Sequence, residues 1–249
     1  MIAGELYVTG GRTTLHNSST VERYNPSSNA WSSVAAMPQA RWGHEACEIG
    51  GAMYVLGGDL QHTWKYDAGT NTWSEVAPIP VLRFYTAACA IGSDIYVIGG
   101  WLYSNVPTAE VYKYSVDSNS WSTVSPMPTA RSFYGACVLG GMIYVAGGKD
   151  AATNVVSSVL RYDPSSDTWS TVAAMSQTRS ALAVFALDGC VYAAGGFDTS
   201  NLSTVEKYEP AFDRWSAVRS MGSARYYFKV VALTVEENVF DAMMRRALQ

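Results

Sequence analysis

A glycine doublet at the end of a strand-like run recurs five times along this chain, at Gly10-Gly11, Gly57-Gly58, Gly99-Gly100, Gly147-Gly148 and Gly195-Gly196. A tyrosine stands three residues before the first glycine of each of these five: Tyr7, Tyr54, Tyr96, Tyr144 and Tyr192. A second tyrosine then precedes a tryptophan by seven residues each time, in the pairs Tyr24/Trp31, Tyr66/Trp73, Tyr114/Trp121, Tyr162/Trp169 and Tyr208/Trp215. Ten residues past each tryptophan comes an arginine (Arg41, Arg83, Arg131, Arg179, Arg225), and 16 residues separate each of the first four from the next doublet. A chain built this way stacks copies of one supersecondary unit, because no single copy can bury its own apolar faces.

Length variation is confined to one place. From the second glycine to the following tyrosine the gap runs 13, 8, 14, 14 and 12 residues. That connection is therefore a surface loop, where specificity tends to reside. The motif residues themselves read as scaffold. A glycine pair at a strand end permits positive φ and close backbone approach. Tyrosine and tryptophan bury large areas while keeping a polar tip for a hydrogen bond. The clusters Asn25-Pro26-Ser27-Ser28-Asn29 and Asp163-Pro164-Ser165-Ser166-Asp167 are turns. A composition of 48% hydrophobic and only 15% charged residues, with 21 glycines and 16 tyrosines, fits an all-β chain with close backbone contacts.

The repeat resembles the kelch repeat from residue 4 to about residue 234. No Trp-Asp dipeptide marks the other common propeller repeat. Stretches such as STVERYNPSSNAW and STVEKYEPAFDRW are most similar to the kelch domains of BTB–kelch ubiquitin-ligase adaptors. The resemblance implies four-stranded antiparallel blades (strands A to D outward from the axis) set in a ring as a β-propeller. The sequence opens on a B strand, Glu5–Thr9, and ends its pattern on an A-like segment, Tyr226–Thr234. Five blades are predicted, closed by pairing the C-terminal strand with the N-terminal blade, which removes exposed edges; a part of a larger ring is the alternative. The A segments carry small residues (Ala46-Cys47, Ala87 to Ala90, Gly135-Ala136-Cys137, Ala181, Ala183), as packing near a narrow axis requires. Residues 1–234 form the predicted propeller and 235–249 a tail, in which Val239, Phe240, Met243 and Met244 recur at helical spacing, so a short helix and a frayed tail both remain open.

Several function classes are disfavoured. A formal charge of −4 gives no basic footprint for nucleic acid. No run of 18 apolar residues occurs and the N-terminus has neither a basic nor an apolar leader segment, so membrane spanning and secretion are not expected and a cytoplasmic location is. Without secretion, the sequons at Asn17 and Asn201 read as polar loop. Cys47, Cys89 and Cys137 share one repeat position and show no CxxC spacing, so they read as small buried hydrophobes. His16, His44 and His62 could reach one face near Asp59, but so loose a set is a weak metal motif. Kelch propellers include copper radical oxidases and sugar epimerases. Here no histidine follows residue 62, and nucleophile-elbow, dinucleotide and phosphate-loop patterns do not occur. No catalytic residue, cofactor or metal is assigned, and the chain is expected not to be an enzyme.

In the adaptor family the ligand lies on one face, held by residues just past the glycine pair and just past the repeat arginine. Carried onto this sequence, the first set is Arg12, Asp59, Trp101, Lys149 and Phe197, with Tyr103 close behind. The second is Trp42-Gly43-His44, Phe84-Tyr85, Ser132-Phe133-Tyr134, Ser180-Ala181 and Tyr226-Tyr227-Phe228. Strand alternation divides these between ligand and neighbouring blades. The expected peptide-binding residues are Arg12, Trp42, His44, Phe84, Tyr85, Trp101, Tyr103, Phe133, Tyr134, Lys149, Phe197, Tyr226 and Tyr227. The repeat arginines either join them or pair with strand-C acids such as Glu22 and Glu206. So aromatic a mouth, with few cations beyond Arg12 and Lys149, suits a protein segment with apolar or proline content rather than a strongly acidic one. The resemblance implies substrate recognition for a cullin-based ubiquitin ligase, through domains outside this sequence; an actin-binding module and an enzyme acting on a small sugar are the alternatives.

Overall fold

The computed structural model describes residues 2, 4–104 and 106–230. All its sheets are antiparallel, and they form five blades. The first holds Leu6–Thr9, Val21–Asn25 and Ala30–Ser33. The second runs through His44–Ile49, Ala52–Gly57, Thr63–Asp67 and Thr72–Val76, and the third through Ala87–Ile91, Asp94–Ile98, Val111–Ser115 and Ser120–Val124. The fourth takes Gly135–Leu139, Met142–Ala146, Val159–Asp163 and Thr168–Val172, and the fifth Ala183–Leu187, Cys190–Ala194, Val205–Glu209 and Arg214–Val218. Each blade is a meander of sequence neighbours, so all its ladders are local.

The repeated residues set the register. Tyr66 stands opposite Trp73, Tyr114 opposite Trp121, Tyr162 opposite Trp169 and Tyr208 opposite Trp215, with ring centroids 4.9–5.2 Å apart. B strands lie between two sheets, so both faces are apolar and the usual alternation disappears: every residue of Ala52–Gly57 is buried. A strands are innermost. Their Ala87, Ala88, Gly135, Ala136 and Ala183 line an axial cavity of about 140 Å3. The thiols of Cys47, Cys89 and Cys137 sit on these strands, and burial pushes all three up, Cys89 to about 12.

Blades join through one device used four times. The indoles of Trp73, Trp121, Trp169 and Trp215 each donate, at 2.8 Å, to a carbonyl of the preceding blade's edge: Ala35, Ala77, Ser125 and Ala173. The same four residues return an N–H to Asn71, Asn119, Asp167 and Asp213. Those acceptors sit at φ of about +50°, where they also close the hairpin between C and D.

Between the fifth and first blades the contacts differ. Residues 221–227 bond to the fifth blade's loops, through Met221 N–H to Ser203, Arg225 N–H to Leu202 and Tyr227 N–H to Ala181. Lys229 reaches the second blade's Glu45 at 2.7 Å. Trp31 is half exposed and Arg225 exposed, whereas their counterparts are largely buried. A cleft of about 150 Å3, lined by Leu6, Tyr7, Cys47 and Met53 among others, runs along the first blade's inner strand. Residues 226–230 form no strand, and the rest of the expected closing strand, 231–234, lies outside the described residues with the tail 235–249.

Candidate functional site

The mouth of the ring is built by a turn repeated in every blade. The carbonyl of each repeat arginine accepts the N–H of the preceding blade's second glycine, from Gly11 to Arg41, Gly58 to Arg83, Gly100 to Arg131, Gly148 to Arg179 and Gly196 to Arg225. Close backbone approach explains both glycines: a Cβ on Gly147 would strike the Arg179 carbonyl, and one on Gly148, at φ +94°, would lie 2.6 Å from the Ser132 carbonyl. The chain must then turn sharply into the A strand, and the second residue after each arginine is left-handed. Those residues are Gly43, Tyr85, Phe133, Ala181 and Tyr227, at φ +50° to +63°. A side chain there costs roughly 1 kcal/mol or more. Three of the five positions nonetheless carry an aromatic ring.

The arginine side chains are scaffold. Arg83 donates to the carbonyls of Gly99 and Glu110 and to the Glu110 carboxylate at 3.2 Å. Arg131 bonds to Gly147 and to Ser158, and Arg179 to Gly195, Thr204 and the Glu206 carboxylate at 3.0 Å. Arg41 alone of these four has a single acceptor, the His62 carbonyl, and burial lowers its pKa to about 10. The expected acid pairing therefore holds for Glu206. Glu22 pairs with no arginine among the described residues.

The rings meet over two adjoining hollows. One, of about 420 Å3, is lined by Trp42, Phe84, Tyr85, Trp101, Leu102, Tyr103 and Phe133. The other, of about 500 Å3, shares Trp42, Tyr85 and Phe133 and descends toward the axis past Arg12, His44, Glu45, Tyr227 and Lys229. Tyr85 lies 4.2 Å from Phe133 and 6.1 Å from Tyr227 between centroids, Trp42 lies 5.5 Å from Phe84, and Trp101 meets Phe133 edge-on at 5.3 Å. A short ladder pairing Trp101–Leu102 with Arg83–Phe84 holds the first hollow's wall. The Trp101 indole N–H is buried and has no acceptor among the described residues.

The charges are distributed unevenly. The Arg12 guanidinium sits 5.9 Å from the Trp42 ring and the Lys149 ammonium 5.6 Å from Phe133, and neither has a carboxylate partner among the described residues. The acids are occupied. Glu45 takes Lys229, Asp59 accepts from Asn17 and the Trp42 N–H, and Asp150 caps its own turn at Ala152 and Asn154.

Five residues singled out from the sequence lie differently from the rest, and Lys149, beside Phe133, lines neither hollow. Tyr134 is buried, its hydroxyl held between the Ile98 carbonyl and the Ala87 N–H of the neighbouring blade. His44 is pinned to Thr9 at 2.8 Å, and burial drives its pKa down to about 4. Phe197 and Tyr226 stack at 5.9 Å and line neither hollow. His62 turns away from Asp59 to Glu75 and stacks on Trp64. Glu45, Leu102 and Lys229 are added by the structure. Their neighbours in the repeat pattern were visible in sequence, but the inward turn that exposes them to the hollows was not.

A family model described as the KLHDC2/KLHL20/DRC7 Kelch-repeats domain matches residues 1–196 and 78–240. Human Kelch-like protein 26 is 36% identical over 58 residues, human Kelch-like protein 6 is 37% identical over 57, and zebrafish (Danio rerio) Kelch-like protein 21 is 40% identical over 58. Each alignment takes 23% of this chain and only 9% or 10% of the relative's length. Among solved structures, that of YjhT superposes with a TM-score of 0.75 at 16% identity, covering 88% of this chain and 82% of that one.

Proposed function

The chain belongs to the KLHDC2/KLHL20/DRC7 Kelch-repeats domain family, and from that premise we propose that it binds a peptide segment of a partner protein across the aromatic mouth. The observation that carries this reading is the left-handed turn. Tyr85, Phe133 and Tyr227 occupy backbone positions that glycine fills at lower cost, and their rings converge on the two hollows. Rings kept at a conformational expense, on a rigid rim, favour recognition over packing. Rigid aromatic area with hydroxyl tips is what an extended peptide needs.

On this reading the module works by binding, without covalent chemistry. The likeness to Kelch-like proteins supports a role as the substrate-recognition part of a cullin-based ubiquitin ligase acting in the cytoplasm. The test is affinity capture from cytosolic lysate with the native chain and with a Tyr85/Phe133/Tyr227→Ala variant checked for folding. Phe133 is chosen over Tyr134, whose hydroxyl joins two blades. Partners held by the native chain and lost by the variant support the proposal. Equal capture by both removes the mouth from the mechanism.

A further inference from the structure

We infer that Glu45, on the floor of the second hollow, is the seat for an arginine of the bound peptide, which takes the place of Lys229; this rests on the mouth being the peptide site. Glu45 is the one acid lining either hollow among the described residues. It stands four residues past its repeat arginine, where the third, fourth and fifth blades keep Ala87, Gly135 and Ala183. Glu45 and Lys229 border the axial cavity as well as the hollow, so the pair lies between the two. Packing near the axis explains the small residues and does not explain a carboxylate among them.

The two partners are held unequally. The Glu45 side chain is only 16% exposed, whereas that of Lys229 is 77% exposed. Both carboxylate oxygens accept from the same ammonium, at 2.7 Å and 3.0 Å, and from no other group among the described residues. Burial raises the Glu45 pKa and Lys229 draws it back. Lys229 thus supplies what the carboxylate needs while staying mostly in water itself, on residues 226–230 that form no strand. An ion pair so open on its cationic side is weak, and its lysine swings out to solvent at little cost.

Arginine is the occupant that gains by the exchange. Its planar fork meets the two carboxylate oxygens with two parallel N–H bonds, a geometry that an ammonium does not match. Its flat face stacks on aromatic rings, and Tyr85, Phe133 and Tyr227 wall the same hollow. A ligand lysine would only repeat what Lys229 already does, and an acidic side chain would face Glu45 across the hollow. Because one cation leaves the carboxylate as the other arrives, the balance of charge beside Arg12 stays nearly as it was.

The experiment is selection of random dodecapeptides displayed on phage against the full chain, followed by fluorescence anisotropy of a resynthesised winner at neutral pH. The expected winners carry an arginine among apolar residues. Replacing that arginine by citrulline, which keeps the shape and removes the charge, should weaken binding about ten- to hundredfold. Glu45→Gln should weaken the arginine peptide to a similar extent and leave the citrulline peptide little changed. Lys229→Ala removes the competitor and should tighten binding about two- to fivefold. If the Glu45–Lys229 pair served only to fasten the ring, that variant would lower Tm and bind no tighter. Arginine-free winners that need Tyr85, Phe133 and Tyr227 overturn this inference and leave the peptide reading standing. So do arginine winners indifferent to Glu45→Gln, or bound no tighter by Lys229→Ala. Winners indifferent to those three rings, or no enrichment at all, overturn both.

Discussion

Arg179 and Glu206 face each other at 3.0 Å with both side chains buried, inside the fifth blade. The same geometry joins Arg83 to Glu110 at 3.2 Å, but there the carboxylate is half exposed. Glu206→Gln leaves a buried guanidinium its neutral acceptors but no counter-charge, and should cost roughly 3 kcal/mol. Glu110→Gln, with water able to replace the lost partner, should cost less than about 1 kcal/mol. Urea unfolding of the two variants measures the difference, and equal losses would refute a role for burial.

Arg41 lacks the second partner its counterparts have. The shortest variable loop puts His62 where the third, fourth and fifth blades place Glu110, Ser158 and Thr204, and its ring goes to Glu75 instead. His62→Ser offers Arg41 the hydroxyl that Ser158 offers Arg131 at 2.7 Å. A gain of about 1 kcal/mol is expected, and it should vanish when Arg41 is already replaced by methionine.

The left-handed ring residues predict opposite effects on stability and binding. Tyr227 is 60% exposed at φ +54°. Tyr227→Gly relieves the backbone and gives up modest contact, so stability should hold or rise by up to about 1 kcal/mol. Peptide capture should fall at the same time. A variant that loses both would assign Tyr227 to packing.

Burial and the neighbouring Arg41 keep His44 neutral, lowering its pKa to about 4 from an ordinary 6.5. The unfolded chain therefore binds this proton first as pH falls. Stability should decline between about pH 6.5 and pH 4 by roughly 2–3 kcal/mol and gain no further slope from this group below that. His44→Gln should remove this component from the pH profile of Tm; an unchanged profile would assign it elsewhere.

The blades were legible because the same spacing carries both burial and register. Tyrosine and tryptophan seven residues apart must face across a tight C–D hairpin, and Tyr66/Trp73 and its counterparts do. The site was legible only in outline. Sequence put Tyr134 beside Phe133 in one set, yet the left-handed turn sends the Phe133 ring outward and Tyr134 back between blades. Only Gly43 betrays that turn in sequence, because the other four residues there are not glycine. Phe197 follows its glycine pair as Trp101 does and makes equivalent bridges, but it stacks on Tyr226 and lines neither hollow. That the Trp101 indole finds no acceptor among the described residues depends on three-dimensional neighbours and leaves no mark in the chain.

The acceptor that joins neighbouring blades is asparagine at Asn71 and Asn119 and aspartate at Asp167 and Asp213. Each uses one side-chain oxygen, taking a tyrosine hydroxyl from its own blade and a backbone N–H from the preceding one. The amide nitrogens of Asn71 and Asn119 make no hydrogen bond among the described residues. Chemical ageing of these two side chains, if it ended in the ordinary aspartate, would thus convert two joints into copies of the other two. The ring would drift more acidic as it grew old, and its blades would stay fastened.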